Sequence, residues 1–145
     1  MSAMSDYLEN KLVDLTLRGQ AFTAPATLYV SLHTTATTDA GGGTEVSGGS
    51  YARVAVTASL ANFAGTQAAA STTASSGTGG VTSNNGSITF PSPSASWGTV
   101  THFGIWDAST GGNLLFHGAL TTSKTINNGD AAPSFAAAAL TLTFA

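Results

Sequence analysis

The sequence contains no cysteine and few charged residues, and both scarcities exclude classes of protein. Without cysteine the chain has neither a disulfide framework nor a thiolate metal site. Charged residues make up 8% of the 145 residues, whereas they are about 25% of ordinary domains. Only four residues are basic, and they do not cluster along the sequence. We therefore expect no nucleic-acid binding, because neutralising several phosphates requires several Lys or Arg side chains.

Long apolar runs are also missing. No stretch approaches the roughly 18 consecutive apolar residues of a membrane span, and the first residues do not resemble a signal peptide. We therefore expect no membrane partner and synthesis in a cytoplasm. The two glycine clusters lack the Lys and the strand-to-helix context of a phosphate-binding loop, so no cofactor is expected either.

Small neutral residues take the place of the missing charges. Ala, Thr, Ser and Gly together make up more than half of the chain. A surface of such side chains can lie against another protein without the desolvation penalty of buried charges. We expect a partner surface of this kind; the alternative is a neutral β protein with no special partner. The length and the net charge of −3 indicate one folded domain.

Residues 5–18 form the only segment with convincing helical periodicity. Leu8, Leu12 and Leu15 recur at helical spacing, and Gly19 follows as a stop signal. A helix this short is marginal alone, so it has to pack on its own β domain or on a neighbouring subunit. We expect an N-terminal helical arm over residues 1–20 and a β domain over residues 21–145.

Alternating apolar and polar residues predict strands after Pro25. The predicted strands are 27–33, 51–60, 87–91, 100–107, 113–120, 123–127 and 140–144. Residues 65–86 have Val81 as their only large apolar residue and no charge, which indicates a mobile loop or a segment that orders on a partner. Seven or eight short strands without intervening helices predict an all-β fold, an antiparallel sandwich or barrel.

The segment DASTGGN, residues 107–113, predicts the turn of a hairpin. Burial selects the register of this hairpin, because a one-residue slip would send the core side chains to solvent. We expect Phe103 to pair with Phe116 and Ile105 with Leu114, so that these residues share one apolar face.

The opposite face of the hairpin then carries His102, His117 and Trp106, and the parity of the preceding strand directs His33 away from the core. Catalysis would need a nucleophile, a base and an orienting group within hydrogen-bond reach, and Asp107 has the wrong parity to orient either imidazole. The spacing of the three histidines is not diagnostic of a metal site. We therefore expect neither an enzyme nor a metal site, and we interpret this face as exposed sheet or as a protein contact.

The residues expected at such a contact share an amphipathic character or a position on a predicted outer face. They are Tyr7, Leu8, Leu12, Leu15, Tyr29, His33, Tyr51, Arg53, His102, Trp106 and His117.

Four segments of the sequence resemble small virion proteins of tailed bacteriophages and prophages, which are variously labelled tail-fibre or head-decoration proteins. The segments are YLENKLVDLTLRGQAFTAPATLYVSLHT, GTEVSGGSYARVAVT, ITFPSPSASWGTVTHFGIWDASTGGNLLFHGALTTSKTINNGD and LTLTF. The resemblance covers most of the chain except residues 59–86.

This resemblance implies a jelly-roll-like β-sandwich that decorates a phage capsid. Similar chains bind the outer surface of the head as dimers or trimers and cement the junctions between major capsid protein subunits. We accordingly expect a capsid decoration protein, made in the host cytoplasm and located on the capsid surface, with the major capsid protein and itself as partners. The alternative is a tail-fibre or baseplate-associated protein that binds a receptor or a glycan, with Trp106, Tyr29 and Tyr51 stacking on sugar rings.

Overall fold

The computed structural model describes residues 2–144. Its elements, in chain order, are β1 (Ser2–Met4), α1 (Asp6–Leu17), β2 (Thr27–His33), β3 (Val54–Thr57), β4 (Val81–Ser83), β5 (Ile88–Thr89), β6 (Gly98–Trp106), β7 (Leu114–Ile126), β8 (Ser134–Phe135) and β9 (Thr141–Thr143). Most of these elements are strands, every pairing is antiparallel, and the described chain has one short helix, which confirms the all-β expectation.

Five strands form a large sheet in the order β1-β7-β6-β2-β3, and two small sheets pair β4 with β9 and β5 with β8. The inner face of the large sheet packs against the small sheets through aromatic contacts. The ring of Phe135 in β8 lies 6.2 Å from that of Phe103 in β6 and 6.3 Å from that of Phe90, centroid to centroid. One hydrophobic core therefore lies between the large sheet and the small sheets.

The first residues are integrated into this body, which corrects the expectation of a separate N-terminal arm. Strand β1 pairs with β7 along an edge of the large sheet. Ser5 caps α1 by accepting a hydrogen bond from the backbone N–H of Leu8, and its own hydroxyl donates to the carbonyl of Leu114. Leu8 lies in the hydrophobic core, and Tyr7 and Leu12 pack against it. Residues 2–12 thus complete the sheet and the core, and only the end of α1 extends beyond them.

In the β6–β7 hairpin, Phe103, Ile105 and Phe116 lie on the core face as predicted, but Leu114 pairs with Trp106 on the opposite face, so its predicted position is wrong. The register also differs from the predicted one by two residues. Ile105 pairs with Phe116 and Phe103 pairs with Gly118, so the expected pairs of Phe103 with Phe116 and of Ile105 with Leu114 are wrong. Side chains alternate along a strand with a period of two, so a two-residue slip leaves Phe103, Ile105 and Phe116 on their original side. The irregularity between Ile105 and Trp106 shifts the register by a further residue near the turn, and Leu114 changes sides. The burial pattern therefore predicts which of these side chains face the core, but it does not predict which residues pair across the hairpin.

The turn of this hairpin accounts for the slip. The Asp107 carboxylate accepts hydrogen bonds from the backbone N–H and the side-chain amide of Asn113, each at 2.7 Å. These bonds close the loop across DASTGGN, and a register shift follows between Ile105 and Trp106. An irregularity of this kind depends on side-chain bonding within the turn, and alternation of apolar residues does not report it.

Two further expectations about strands are corrected. The segments 113–120 and 123–127 are one strand, β7, which bulges so that four residues lie between Ala119 and Lys124 where β6 has Thr101 alone. Residues 81–83, inside the segment expected to be a loop, form β4 and pair with β9. In the same segment the Gln67 side-chain amide donates to the hydroxyls of Ser71 and Thr73. The mobility of residues 65–80 stays a prediction.

Asn84 connects the small sheets to the chain that returns after β8. The side chain is 1% exposed, and its amide nitrogen donates to the carbonyls of Gly86 and Ala136 at 2.7 and 2.8 Å. Its amide oxygen accepts from the backbone N–H of Leu140 at 2.9 Å. A buried amide with three satisfied hydrogen bonds fixes loops that have few apolar side chains of their own.

We predict that Asn84→Asp destabilises the fold by about 2–5 kcal/mol, because a carboxylate of the same shape would face the Gly86 and Ala136 carbonyls without a hydrogen to donate. Chemical denaturation measures the free energy of unfolding. The matched control is Asn10→Asp on the exposed side of α1, which adds the same charge and should change stability by less than about 0.5 kcal/mol. Equal stabilities of the two variants would contradict this role of Asn84.

Candidate functional site

The outer face of the large sheet is covered by a loop that the sequence did not predict to fold over it. This covering loop, residues 34–46, leaves β2 and returns beside it. Its base is closed by the backbone N–H of Thr34 donating to the carbonyl of Thr44 and that of Val46 donating to the carbonyl of Leu32, at 2.9 and 3.0 Å. Of the three histidines on the outer face, His33 and His117 are therefore buried and His102 is partly buried.

His117 is held by the covering loop. Its Nδ1 lies 3.1 Å from the hydroxyl of Thr37 and its Nε2 lies 2.9 Å from the carboxylate of Asp39. The carbonyl of Asp39 accepts a hydrogen bond from the backbone N–H of Asp6 at the start of α1. His117 points away from the core as parity predicted, but it is 8% exposed, so the expectation of an exposed contact residue is wrong.

His33 is also buried, at 1% exposure, and the expectation that it faces solvent or a partner is wrong. Its Nε2 lies 2.8 Å from the hydroxyl of Ser31, which accepts a hydrogen bond from the indole N–H of Trp106 at 2.8 Å. The rings of His33 and Trp106 are stacked, with an interplanar angle of 18°. A Cβ on Gly104 would lie 2.8 Å from both the Ser31 and the Trp106 polar atoms, so glycine is required beneath this bond.

Arg53 is the centre of a charged cluster at the same face. Its Nε and Nη2 donate to the two carboxylate oxygens of Glu45, at 2.9 and 2.8 Å, in a bidentate pair. Its Nη1 donates to the carbonyls of Ala108 and Gly111 in the hairpin turn, and the guanidinium lies 4.1 Å from the centroid of the Trp106 ring. The Arg53 side chain is 6% exposed, which corrects its assignment to a contact surface.

Tyr51 is partly buried, and its ring packs against the hydrophobic core. Its ring stacks on Phe90 and meets the edge of Trp97, with centroid distances of 6.3 and 5.3 Å. Its hydroxyl donates to Glu45 at 2.9 Å and accepts from the backbone N–H of Leu32 at 3.0 Å. The expectation that Tyr51 faces a partner is therefore wrong.

Burial and the neighbouring charges shift three pKa values in this cluster. Burial lowers the pKa of His33, and Glu45 opposes this effect while Arg53 adds to it. Burial alone would raise the pKa of Glu45, but the hydrogen bond and the charge of Arg53 hold that pKa below its usual range. Burial raises the pKa of Tyr51, and the adjacent Glu45 adds to the rise. The cluster is therefore built around an ionised Glu45–Arg53 pair and a neutral His33.

The geometry of the cluster suits a structural role. The Ser31 hydroxyl is 0% exposed, so a substrate has no access to it as a nucleophile. Nδ1 of His33 has no hydrogen-bond partner among residues 2–144, so the imidazole lacks an orienting carboxylate, and Asp39 bonds to His117 instead. Nowhere in the described chain do three or more His, Asp or Glu side chains converge as they would around a metal ion. The network can hold the covering loop and the hairpin turn in place.

The remaining residues of the predicted contact are dispersed. His102 pairs with His33 across β6 and β2, and its Nδ1 lies 2.8 Å from the Thr101 hydroxyl. Tyr29 pairs with Trp106, and both are partly buried. On α1, Leu15 is 43% exposed. The structure therefore brings His33, Arg53, Trp106 and the rest of the sheet residues together and leaves the helix residues apart from them.

Sequence reasoning missed the partners of these residues in the covering loop, namely Thr37, Asp39 and Glu45. A signal was present, because Asp39 and Glu45 are two of only seven acidic residues and lie in a glycine-rich loop. Carboxylates in so weakly charged a chain indicate fixed partners, which in the fold are Arg53 for Glu45 and the buried His117 for Asp39.

We predict that the protein loses stability as the pH falls from 7.5 to 5.5. The unfolded chain protonates His33 near its ordinary pKa of 6.5, whereas the folded chain holds this pKa lower. As the pH falls below 6.5, the unfolded state therefore binds a proton that the folded state does not, and the free energy of unfolding decreases. Glu45, Arg53, His102 and His117 are the titratable groups that act on His33. Denaturant midpoints at several pH values measure the effect.

The His33→Gln variant should have a smaller loss over this range, because Gln retains a polar group near Ser31 and takes up no proton. The His102→Gln variant, from the partner position on β6, is the matched control and should retain the larger loss. If wild type and His33→Gln lost stability in parallel, the burial of a neutral His33 would not be its cause.

We also predict that Arg53→Lys destabilises the fold by about 1–3 kcal/mol, because an ammonium cannot reproduce the bidentate pair, the two carbonyl contacts and the stacking on Trp106. Arg18→Lys is the control, since the Arg18–Asp14 pair lies on the exposed part of α1, with 70% of the Arg18 side chain accessible. Exposed pairs of this kind contribute less than about 1 kcal/mol. Thermal unfolding compares the two, and equal shifts would refute the central position of Arg53.

In residues 2–144 no helix has the length and apolar character needed to cross a bilayer. None of the curated proteins searched matches the chain. Residues 3–143 match the family model described as podophage GP4 fiber I protein gp80. This match spans nearly the whole chain and includes every element of the fold except the first residue of β1. The chain therefore belongs to the podophage GP4 fiber I protein gp80 family and is a structural protein of the phage virion.

Proposed function

We propose that this chain is a structural subunit of a podophage fibre, which it builds through protein–protein contacts. The observation that carries the proposal is the match of residues 3–143 to a family named for a fibre protein. The capsid decoration role expected from the sequence is thereby the second candidate, because the family name refers to a fibre.

The closed outer face of the large sheet supports a structural role. Ser31 and His33 bond to each other, and Arg53 bonds to Glu45 of the covering loop. All three side chains are buried and present no reactive group to solvent. We accordingly propose that the protein is not an enzyme and needs no cofactor or metal. The scarcity of charge supports protein contacts and counts against nucleic acid or membrane as partners.

Glycan binding by stacked aromatic residues fits the geometry poorly. The Trp106 ring is covered by the Arg53 guanidinium and stacked with His33, and Tyr51 is packed among core aromatics. Of the three aromatic residues expected to hold sugar rings, Tyr29 alone is not engaged in this way in the described structure. We therefore propose that the chain assembles the fibre, and that any receptor contact belongs to other surfaces.

Capsid decoration by a jelly-roll-like sandwich stays the second candidate. The observation that favours it is the surface of small neutral side chains, which suits close contact with major capsid protein subunits as well as with copies of the chain itself. Many weak contacts repeated over a shell would act together through multivalency. The location and the copy number of the protein in the virion separate the two candidates.

Immunogold electron microscopy of intact particles tests the proposal, with an antibody raised against the purified chain. We expect label on the fibres and a low copy number per particle in quantitative mass spectrometry. An antibody against the major capsid protein is the control and should label the head. Label spread over the head, with a copy number comparable to that of the capsid protein, would refute the fibre proposal and support decoration.

A further inference from the structure

We propose that Asn128 is a site of spontaneous covalent modification, at which the chain loses ammonia and takes up water to become aspartate or isoaspartate. This chemistry requires an asparagine whose side chain can turn back onto the backbone nitrogen of the next residue. A glycine in that next position favours the approach, because it has no side chain to obstruct it. Among the seven asparagines of the chain, Asn85 and Asn128 are the two that precede a glycine.

The reaction has two steps, and water is its only co-reactant. In the first step the backbone nitrogen of Gly129 loses its proton to hydroxide and attacks the side-chain carbonyl carbon of Asn128. A new C–N bond closes a five-membered succinimide, while the bond to the amide nitrogen breaks and that nitrogen takes a proton from water and leaves as ammonia. In the second step water adds to one of the two ring carbonyls and opens the ring. Either product carries one more negative charge than asparagine.

The structure leaves the side chain of Asn128 able to make this turn. Residues 127–130 form a turn closed by the backbone N–H of Asp130, which donates to the carbonyl of Asn127 at 3.2 Å, and Asn128 and Gly129 are its two central residues. Asn128 is exposed, and in this described turn the one side-chain hydrogen bond is from the backbone N–H of Asn127 to the Asp130 carboxylate. Nothing in the described chain lies within 4 Å of where a Cβ on Gly129 would be.

One hydrogen bond opposes the reaction at this turn. The backbone N–H of Gly129 donates to the carbonyl of Pro93 at 3.1 Å, and the nitrogen has to give up this bond before it attacks. Gly129 is exposed, so water can take the place of the carbonyl. Breaking one hydrogen bond of ordinary net strength slows a step by about two- to tenfold. The bond to Pro93 therefore slows the modification without preventing it.

Asn85 has the same neighbour in the sequence but a different environment. Its amide nitrogen donates to the carbonyls of Leu60 and Ser71, both at 3.3 Å. Its amide oxygen is buried and has no hydrogen-bond partner within residues 2–144, so the negative charge that develops there during attack would have no donor. The backbone N–H of Asn85 also donates to the carbonyl of Asn62, at 2.8 Å. The fold therefore protects Asn85 and leaves Asn128 as the reactive site.

Modification of Asn128 would alter the chain just after β7. The product adds one negative charge to a chain whose formal net charge is −3, close to the carboxylate of Asp130. Isoaspartate also lengthens the backbone by one methylene group, inside a turn whose path is fixed by the Gly129–Pro93 bond. Because a subunit of an assembled virion is not replaced by new synthesis, the change accumulates with the age of the particle. It does so on a head or on a fibre alike.

Peptide mapping by mass spectrometry tests the site on the purified full-length chain, incubated at neutral and at mildly alkaline pH. In the folded protein we expect the peptide with Asn128 to convert at least about tenfold faster than the peptide with Asn85, which corresponds to the bonds that hold Asn85. Both rates should rise with pH, because the attacking nitrogen has to lose its proton. The same chain unfolded in urea is the control, and there the two rates should become similar.

A variant completes the design. Asn128→Gln should abolish the fast conversion, because the longer side chain would have to close a six-membered ring. Asn10→Gln is the matched control, at an exposed asparagine of α1 that precedes a lysine, and should convert as wild type does. If Asn128→Gln does not fold, as judged by thermal unfolding, the comparison of folded and unfolded wild type still decides.

Three outcomes would overturn the inference. One is an equal rate for Asn85 and Asn128 in the folded protein, and another is fast conversion that persists in Asn128→Gln. The third is an Asn128 peptide that reacts in urea and stays unchanged in the folded chain, which would mean that the bond to Pro93 protects the turn. None of these results depends on where the protein lies in the virion, so they test the site separately from the fibre role.

Discussion

The Arg53 guanidinium is the interaction on which the outer half of the structure depends. It binds Glu45 of the covering loop, the carbonyls of Ala108 and Gly111 in the hairpin turn, and the face of Trp106. A planar side chain with five donors can join separate segments in this way, and an ammonium cannot. The chain has four basic residues, and the side chain of this one is only 6% exposed. Burying a charge is unfavourable unless it is paired and hydrogen-bonded inside the protein. It is stable because the guanidinium donates four hydrogen bonds and Glu45 neutralises its charge.

The covering loop that Arg53 holds in place also explains why three neighbouring histidines do not form a reactive site. His33 is neutral because it is buried beside Arg53, and Ser31 bonds to Trp106 beneath the covering loop. His117 is engaged by Thr37 and Asp39. Polar side chains that usually suggest chemistry hold a long, glycine-rich loop against a sheet, because that loop has too few apolar side chains to pack by burial alone.

Much of the secondary structure was predictable because local periodicity specifies it. The helix, strand β2 with its bounds, and the inward position of Phe103, Ile105 and Phe116 follow from the spacing of apolar residues. The strands β1, β4 and β8 were missed because the residues in and around them do not alternate large apolar with polar side chains, whereas the equally short β5 and β9 lie in segments that do. The candidate site was predicted in part: parity gave the side of the sheet on which His33, His102 and His117 lie, and it gave no information on what covers that side.

The sequence by itself determined that Phe103, Ile105 and Phe116 share a face, since alternation in a strand is a property of the backbone and survives a two-residue slip of the hairpin. The tertiary structure alone decided whether the outer face of the large sheet is exposed to water or covered. That depended on where residues 34–46 lie, and thus on bonds from Asp39 and Glu45 to residues 78 and 8 positions away along the chain. Such contacts between distant residues leave no periodic trace, because the free energy of a loop closed by polar bonds resides in the partners it meets after folding.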